Sequence, residues 1–206
     1  MALKVIDIDI LKLNVDAVVN ATNVDLIEGG GICGQIFEKA GREKLKKACK
    51  KISPIKPGEA VITDGFNLYQ KYIIHAVGPV YNEMYKEACQ KILQDAYKNS
   101  LNIAKKKGIK SIAFPLISSG IYGYPDKDAF MIAKNTIDEF LKNNEMEVYL
   151  STYGKNILVC DSSKFSKTAN FKIGTIENID ILITDSSMPR SILEYAESLG
   201  IKVILV

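Results

Sequence analysis

Two asparagines and a group of glycines lie between residues 20 and 34, and residues of these types at this spacing could bind an anion. Asn20 and Asn23 end a short apolar run, Gly29–Gly31 follow, and Gly34 comes three residues later. Glycine lets backbone N–H groups approach an anion closely, and a helix that starts there adds the partial positive charge of its N-terminus. The segment therefore predicts a phosphate-binding site.

The glycines alone leave an alternative open, because a flexible loop that leads into a helix has the same composition. The dinucleotide pattern GxGxxG and the nucleotide pattern GxxxxGK[ST] are both absent. A second glycine-containing loop, ISSGIYGY at residues 117–124, follows another apolar run. In a parallel sheet both loops would lie at the carboxyl ends of strands, where ligands bind.

Apolar periodicity predicts alternating strands and helices over the first three quarters of the chain. Strands are predicted at residues 3–8, 16–19, 60–63, 72–76, 110–116 and 147–153, and helices at 32–50, 83–107 and 126–141. This alternation predicts an α/β fold, a three-layer α/β/α sandwich with a mixed, largely parallel sheet.

Composition changes near residue 155, which predicts two domains, 1–155 and 156–206. The first segment has a net charge of +4 and the second of −1, from 22 Lys and Arg against 18 Asp and Glu, and 5 against 6. Strands at 157–160, 180–184 and 202–206 with a helix at 189–199 predict a small Rossmann-like α/β appendage. About 50 residues seldom hold a core alone, so we expect the appendage to dock on the first domain or on another chain.

Whole-chain properties restrict the class of protein. No apolar run approaches the roughly 18 residues of a membrane span, and the N-terminus does not have the pattern of a signal peptide. The net charge of +3 is too small to indicate nucleic acid. Four cysteines without a CxxC pair, and a single histidine, argue against structural zinc and indicate reduced thiols. We therefore expect a cytoplasmic protein without a metal.

The single histidine, His75, lies within an apolar run that includes Ile73, Ile74 and Val77. A histidine in such a run is more often a buried structural residue than a catalytic one. We therefore predict a structural role for His75.

Four motifs resemble those of the macro domain family, in the same order and at the same spacing. VDAVVNATN resembles VDAIVNAAN, GGGICGQIFEKAG resembles GGGVDGAIHRAAG, and SIAFPLISSGIYGYP resembles SIAFPxISTGVYGYP. The segment PGEAVITDGFNLYQKYIIHAVGP resembles the central part of the family nearly throughout. The match covers about residues 3–155, and within the family it is most similar to the MacroD-like branch of ADP-ribose hydrolases.

The resemblance implies a pocket for ADP-ribose or an ADP-ribosylated protein, without a cofactor. The implied ligand contacts are Asp9, Ile10, Asn20, Asn23, Gly29, Gly30, Gly31, Ile32, Cys33, Gly34, Ser118, Ser119, Gly120, Ile121, Tyr122 and Tyr153.

Each implied contact has a role by its position in the motifs. Asp9, with Ile10, would accept a hydrogen bond from the adenine amino group, and Tyr153 would stack on adenine. Asn20 and Asn23 would lie beside the distal ribose. The first glycine loop would surround that ribose and the diphosphate. The second loop would offer backbone N–H groups and the Ser119 hydroxyl to the phosphates.

Two positions depart from the MacroD-like pattern, which has aspartate where this chain has Cys33 and histidine where it has Phe37. In that branch the aspartate orients or activates the attacking water, and a thiol replaces it only if it ionises. Asn23 and Cys33 are the candidate catalytic residues. The chain is either a hydrolase of mono-ADP-ribosylated protein or O-acetyl-ADP-ribose, or a non-catalytic reader of ADP-ribose.

The segment ILVCDSSKFSKTANFKIGTIENIDILITD resembles the closing half of the sensor domain of DeoR-type transcription regulators. The first half of that domain and the DNA-binding helices have no counterpart in the chain. A regulator whose tail carries the signal is therefore less favoured than a structural or oligomerising appendage. Lys164 is the candidate anion contact in this segment, against the simpler interpretation of a solvated lysine.

Overall fold

The computed structural model describes residues 3–152, 157–164, 181–199 and 201–205. The chain divides into two compact units, residues 1–153 and 154–206, and each is described by itself. Among the described residues no helix is both long enough and apolar enough to cross a membrane.

A six-stranded sheet forms the centre of the first unit. Its strands are β1 (Lys4–Ile6), β2 (Ala17–Ala21), β3 (Ala60–Asp64), β4 (Tyr72–Ala76), β5 (Ser111–Pro115) and β6 (Glu147–Ser151). The strand order is β1-β6-β5-β2-β4-β3, and every pair is parallel except β3 with β4. The predicted mixed, largely parallel sheet is confirmed.

Helices cover both faces of this sheet, which confirms the predicted three layers. They are α1 (Gly31–Ala40), α2 (Arg42–Cys49), α3 (Lys86–Lys107) and α4 (Asp126–Leu141). One core cluster joins α3 and α4 to one face, and a second joins α1 and α2 to the other. Along β2 the side chains alternate between the two clusters, with Val19 in the first and Val18 in the second, as the pleat of a strand requires.

The predicted single helix over residues 32–50 is wrong, because the structure has two helices with a break at Gly41. Gly41 has φ 94° and ψ 97°, a conformation that is costly for residues with a Cβ. A Cβ at this position would also lie 2.9 Å from Nδ2 of Asn67. The helical periodicity of the sequence continues across the break, so periodicity alone did not predict it.

His75 on β4 has no exposed surface and takes part in a buried polar chain. Nδ2 of Asn20 donates to Nδ1 of His75 (3.1 Å), and Nε2 lies 2.9 Å from the Thr63 hydroxyl, which donates to the Asp64 carbonyl oxygen. Burial lowers the pKa of His75 to about 4, so the imidazole is neutral near pH 7. These contacts support the structural role predicted for this histidine.

The second unit contains a three-stranded parallel sheet in the order β7-β8-β9. The strands are β7 (Ile157–Val159), β8 (Ile181–Thr184) and β9 (Lys202–Leu205), and one helix, α5 (Arg190–Ser198), precedes β9. Among the described residues of this unit, Leu182, Ala196 and Ile201 form a buried cluster. Lys164 lies exposed in a short 3-10 helix, and residues 165–180 of the DeoR-like segment are outside the described residues.

Candidate functional site

The carboxyl ends of three adjacent parallel strands lie side by side in the first sheet, and a cleft of about 320 Å³ opens there. The strands are β4, β2 and β5, in that order. Residues 21–23 leave β2, Gly78 follows β4, and residues 116–122 follow β5. The structure thus brings both glycine loops to the carboxyl ends of the strands, where parallel sheets bind ligands.

Fifteen of the described residues line this cleft. They are Ala21, Thr22, Asn23, Gly29, Gly30, Gly31, Ile32, Cys33, Gly78, Leu116, Ile117, Ser118, Gly120, Ile121 and Tyr122. Ten of them belong to the predicted set, and the other five are Ala21, Thr22, Gly78, Leu116 and Ile117.

Asn23 fixes the first loop through its side-chain amide. Nδ2 donates to the Ile27 carbonyl oxygen (2.9 Å), and Oδ1 accepts from the Ile27 N–H (3.1 Å). Between them Leu26 has φ 53° and is buried, and its N–H donates to the Asn23 carbonyl oxygen. An amide carries two donors and two acceptor positions, so Asn23 can fold the loop and still offer a hydrogen bond to a ligand.

The first loop leads directly into the N-terminus of α1. No side chain caps this helix, and Gly31 at its first position has φ 60°. A Cβ on Gly34 would lie 2.7 Å from the Gly29 carbonyl oxygen, so only glycine lets the loop pack this closely over the helix. The uncapped first-turn N–H groups lie beside the cleft, and they form an anion site of the kind found at helix N-termini.

The second loop places a polar group at the cleft. Ser118 has φ 66°, and its hydroxyl is buried without a hydrogen-bond partner among the described residues. Gly78 packs directly behind it, since a Cβ on Gly78 would lie 2.1 Å from Oγ of Ser118. The Ser118 hydroxyl is therefore available to a bound ligand.

A backbone contact ties the second loop to the segment after β4. The Tyr81 N–H donates to the Tyr122 carbonyl oxygen (2.8 Å), and the rings of Tyr81 and Tyr124 lie 4.8 Å apart. At the mouth of the cleft the two loops lie close together: a Cβ on Gly30 would be 3.2 Å from Cδ1 of Ile121.

Cys33 lies in the wall of the cleft with 3% of its surface exposed. Its sulfur is 3.6 Å from the Thr22 hydroxyl and 3.7 Å from the Ile27 carbonyl oxygen. The thiol therefore packs against α1 and the first loop more than it faces the cleft.

None of the fifteen lining residues is Asp, Glu, His, Lys or Arg. An anion in this cleft would be held by peptide N–H groups, hydroxyls and the helix dipole, without a side-chain cation. Burial, with a smaller effect of Cys33, raises the pKa of the Tyr122 phenol, so this group is a hydrogen-bond donor at neutral pH. Among the described residues no group of three His, Cys, Asp or Glu could hold a metal ion.

Some predicted residues lie outside the cleft, and their contacts explain why. Asn20 faces His75 in the sheet, so its amide does not reach the cleft. The Ser119 hydroxyl donates to the Leu116 carbonyl oxygen (2.9 Å), and Ser119 is not among the described residues that line the cleft, whereas Ser118 is. Gly34 packs under Gly29 without lining the cleft.

Asp9 and Ile10, which are predicted to lie at the adenine, are not among the described residues that line the cleft. Oδ1 of Asp9 accepts from the Leu11 N–H (2.9 Å) and caps a short 3-10 helix, while Oδ2 lies 3.5 Å from Nζ of Lys39. Ile10 is buried. Tyr153 is outside the described residues, so the stacking role given to it stays a prediction.

The comparisons with known proteins agree on one family. A family model described as "Macro domain" matches residues 19–133. A macro domain-containing protein of Methanosarcina mazei is 43% identical over 173 residues, which are 83% of this chain and 89% of that protein. The chain belongs to the macro domain family.

Two further relatives carry enzyme names. The ADP-ribose glycohydrolase MACROD2 of Homo sapiens is 44% identical over 140 residues, 68% of this chain and 33% of that protein. The O-acetyl-ADP-ribose deacetylase of Citrobacter rodentium is 44% identical over 151 residues, 70% of this chain and 84% of that protein.

Solved structures show the same fold. The Oceanobacillus iheyensis macrodomain with ADP has a TM-score of 0.69 and 38% identity, over 73% of this chain and 82% of that chain. A variant of the same macrodomain with ADPR has a TM-score of 0.66 and 38% identity, over 72% of this chain and 82% of that chain.

Proposed function

We propose that this protein binds ADP-ribose and hydrolyses the bond that joins it to a modified protein or to an acetyl group. One observation carries the proposal: the uncapped N-terminus of α1 and the Ser118 hydroxyl, which has no hydrogen-bond partner among the described residues, lie at a single cleft, and none of the described residues that line it is charged. A diphosphate fits such a site, because peptide N–H groups and a helix dipole bind phosphate without a counter-ion.

The named relatives support this ligand. The Oceanobacillus macrodomain structures contain ADP or ADPR, and the human and Citrobacter relatives are a glycohydrolase and a deacetylase of ADP-ribose compounds. The diphosphate would lie between the two loops and the distal ribose beside Asn23. The adenine would lie toward Asp9 and Tyr153.

Hydrolysis in this cleft would depend on positioning more than on a protein base. None of the described lining residues is a carboxylate or histidine. Asn23 would fix the ribose, and a phosphate oxygen of the substrate would hold the attacking water. Water would add to the carbonyl carbon of the ester, and the bond from that carbon to the ribose oxygen would break. The ribose oxygen would take one proton of the water, so that ADP-ribose and the free carboxylic acid are released. Fixing the reactants can lower a barrier substantially without a strong base.

A second function, a reader that binds ADP-ribose without turnover, is favoured by the same absence of a carboxylate in the cleft wall. The two functions differ in one measurable property. Both predict ADP-ribose binding, and only the enzyme releases ADP-ribose from a conjugate.

For the second unit we propose a DeoR sensor-like fragment that serves as a structural or oligomerising appendage. The exposed apolar side chains of Tyr195, Leu199 and Leu205 support a surface that associates with another protein chain.

We further propose a cytoplasmic location, supported by the free state of Cys33, Cys49, Cys89 and Cys160.

The test is incubation of the protein with mono-ADP-ribosylated protein and, separately, with O-acetyl-ADP-ribose, followed by measurement of free ADP-ribose. Calorimetry with ADP-ribose and AMP accompanies it, and we expect ADP-ribose to bind more tightly because AMP lacks the second phosphate and the distal ribose. Binding without release from either substrate would assign the reader function. Absence of ADP-ribose binding would contradict both functions.

A further inference from the structure

Positive charge is concentrated in two short segments of the chain. Residues 42–51 hold six Lys and Arg and one Glu, and residues 105–110 hold four Lys and no acid. These sixteen residues carry +9, so the remainder of the chain carries −6 within the total of +3. The small net charge is therefore the sum of two strongly basic segments and an acidic remainder.

The fold brings these two segments to one edge of the first sheet. Residues 42–51 include α2, which covers one face, and residues 105–107 end α3, which covers the other. Between them lies β3, the outermost strand. A groove of about 400 Å³ follows this edge and is lined by Ala48, Lys51, Ile52, Ile62, Thr63, Asp64, Phe66, Tyr72 and Lys107.

This groove is separate from the cleft described above. Tyr72 begins β4 in the groove, whereas Gly78, just after the end of β4, lines the cleft. Six residues of extended chain separate them, which corresponds to roughly 20 Å. The two sites therefore lie at opposite ends of the same strand.

Seven lysines of the two basic segments are exposed and, among the described residues, without ion pairs, and two of the seven, Lys51 and Lys107, line the groove. Those concerned are Lys46, Lys47, Lys50, Lys51, Lys105, Lys106 and Lys107. Among the described residues no carboxylate oxygen lies within 4.0 Å of any of them. Nζ of Lys107 instead lies 5.2 Å from the ring centre of Tyr72. Their charges are thus available to an anionic partner.

The groove is also lined by uncharged side chains. Ile52, Ile62 and the rings of Phe66 and Tyr72 give it an apolar and aromatic lining. Asp64 adds one carboxylate, which would repel a uniformly anionic ligand and would accept a hydrogen bond from an exocyclic amine. Two lysines, Lys51 and Lys107, beside aromatic rings form a combination that can bind a single nucleic acid strand, with phosphates on the lysines and bases on the rings.

We propose that this groove binds single-stranded nucleic acid, with Lys51 and Lys107 on the phosphates and Phe66 against a base. A duplex would present its phosphates and hide its bases, so the aromatic interior favours the single strand. An acidic peptide would meet the lysines but would also meet Asp64, without an amine for that carboxylate. This binding is independent of the ADP-ribose cleft and of its chemistry.

The experiment measures fluorescence anisotropy of a labelled, mixed-sequence DNA single strand of about 15 nucleotides, within the site sizes of single-strand binding modules. The double variant Lys51→Glu with Lys107→Glu should weaken binding at least about tenfold. The slope of log affinity against log salt should become shallower by about 1.4, because each phosphate contact contributes about 0.7 for single strands. Phe66→Leu, which keeps apolar volume without a ring, should weaken binding about fivefold or more.

The matched control is Lys98→Glu with Lys127→Glu, which makes the same charge change at two exposed lysines that do not line the groove. Both double variants should keep the ADP-ribose affinity of the parent protein, which shows that they fold. If the groove variant and the control variant weakened binding of the DNA strand equally, the proposal would be overturned, because the attraction would then be non-specific and electrostatic. It would also be overturned if the strand failed to bind, if ADP-ribose displaced it, or if duplex DNA or a polyglutamate peptide bound equally well.

Discussion

Cys33 occupies the position at which the MacroD-like pattern has an aspartate. The contacts of its thiol determine what this side chain can contribute to catalysis. The sulfur packs against Thr22 and the Ile27 carbonyl oxygen, and 3% of the residue is exposed. A cysteine buried in such a place contributes mainly packing. Catalysis would then depend on the residues that hold the substrate.

Substitutions at Cys33 test this assignment. Cys33→Ala should change the rate of ADP-ribose release by no more than about threefold, an effect of roughly 0.7 kcal/mol on the barrier. Cys33→Asp should preserve or raise the rate, because it places a carboxylate in the cleft wall, and Cys33→Asn is the control of equal shape without charge. If Cys33→Ala abolishes release while ADP-ribose still binds, the thiol is the catalytic group.

Asn23 should matter more than Cys33. Asn23→Ala removes the two hydrogen bonds to Ile27 that fold the first loop, together with the contact proposed for the ribose. We expect release of ADP-ribose to fall about tenfold or more, corresponding to ~1.4 kcal/mol or more of transition-state stabilisation. Asn135→Ala on the exposed face of α4 is the control. Turnover at the parental rate in Asn23→Ala would refute the positioning role.

Gly78 gives a prediction about the second loop. Gly78→Ala would place a Cβ 2.1 Å from Oγ of Ser118 and 2.6 Å from Cγ2 of Ile117, so the loop must move. We expect a loss of about 1–3 kcal/mol in the free energy of unfolding and weaker ADP-ribose binding. Gly120→Ala in the same loop meets no atom within 4 Å and should unfold like the parent. Denaturant unfolding and calorimetry measure both effects, and equal stability of the two variants would contradict the packing argument.

These residues also show which part of the site could be predicted from sequence. Asn23, the glycines and the second loop belong to contiguous motifs, and the structure places most of them at the cleft. Gly78 was not predicted because its function depends on Ser118, forty positions away, and no local pattern links the two. The phosphate contact predicted for the Ser119 hydroxyl stays a prediction, and the lining position of Ser118, which has φ 66°, could not be read from the motif.

At the scale of elements, periodicity was most informative where a helix or strand is amphipathic or wholly buried along its length. The bounds of α4 and β4 agree with the predicted residues 126–141 and 72–76. The break between α1 and α2 was missed because the apolar spacing continues through Gly41, whose positive φ comes from the packing around it. The antiparallel direction of β3 likewise depends on how the chain returns to the sheet, which spacing does not encode.

Strand β4 carries a buried imidazole, and this predicts how stability depends on pH. The pKa of His75 is lowered to about 4 by burial, whereas an unfolded histidine titrates near 6.5. Between these values the unfolded chain takes up the proton more readily, so the folded state loses stability as pH falls from about 6.5 to about 4. The loss should approach roughly 3 kcal/mol and stop below about pH 4.

The measurement compares parent and His75→Gln by denaturant unfolding from pH 7.5 to pH 4. Carboxylates titrate in both proteins, so the difference between the two pH profiles isolates the imidazole. The variant should have a lower overall stability and a flatter profile over this range. Parallel profiles would show that His75 does not couple folding to protonation.

At the scale of the whole molecule, the buried clusters formed by the described residues differ in size between the two units. The first has two clusters that enclose a six-stranded sheet on both faces. Among the described residues of the second, Leu182, Ala196 and Ile201 form one buried cluster, with Leu158, Cys160 and Val203 partly buried around it. Domains of this small size seldom bury enough apolar surface to offset the entropy of ordering their backbone.

The last prediction concerns separation of the two units. A chain that ends at Tyr153 should unfold cooperatively and keep the ADP-ribose affinity of the full protein, because both loops of the cleft and both core clusters belong to the first unit. Residues 154–206 alone should show no cooperative transition, since three strands of three or four residues and one helix leave two sheet edges without a partner among the described residues. Circular dichroism during heating and calorimetry with ADP-ribose test the two pieces. A two-state melt of the isolated second unit, or loss of ADP-ribose binding by the first, would show that this division of the core is wrong.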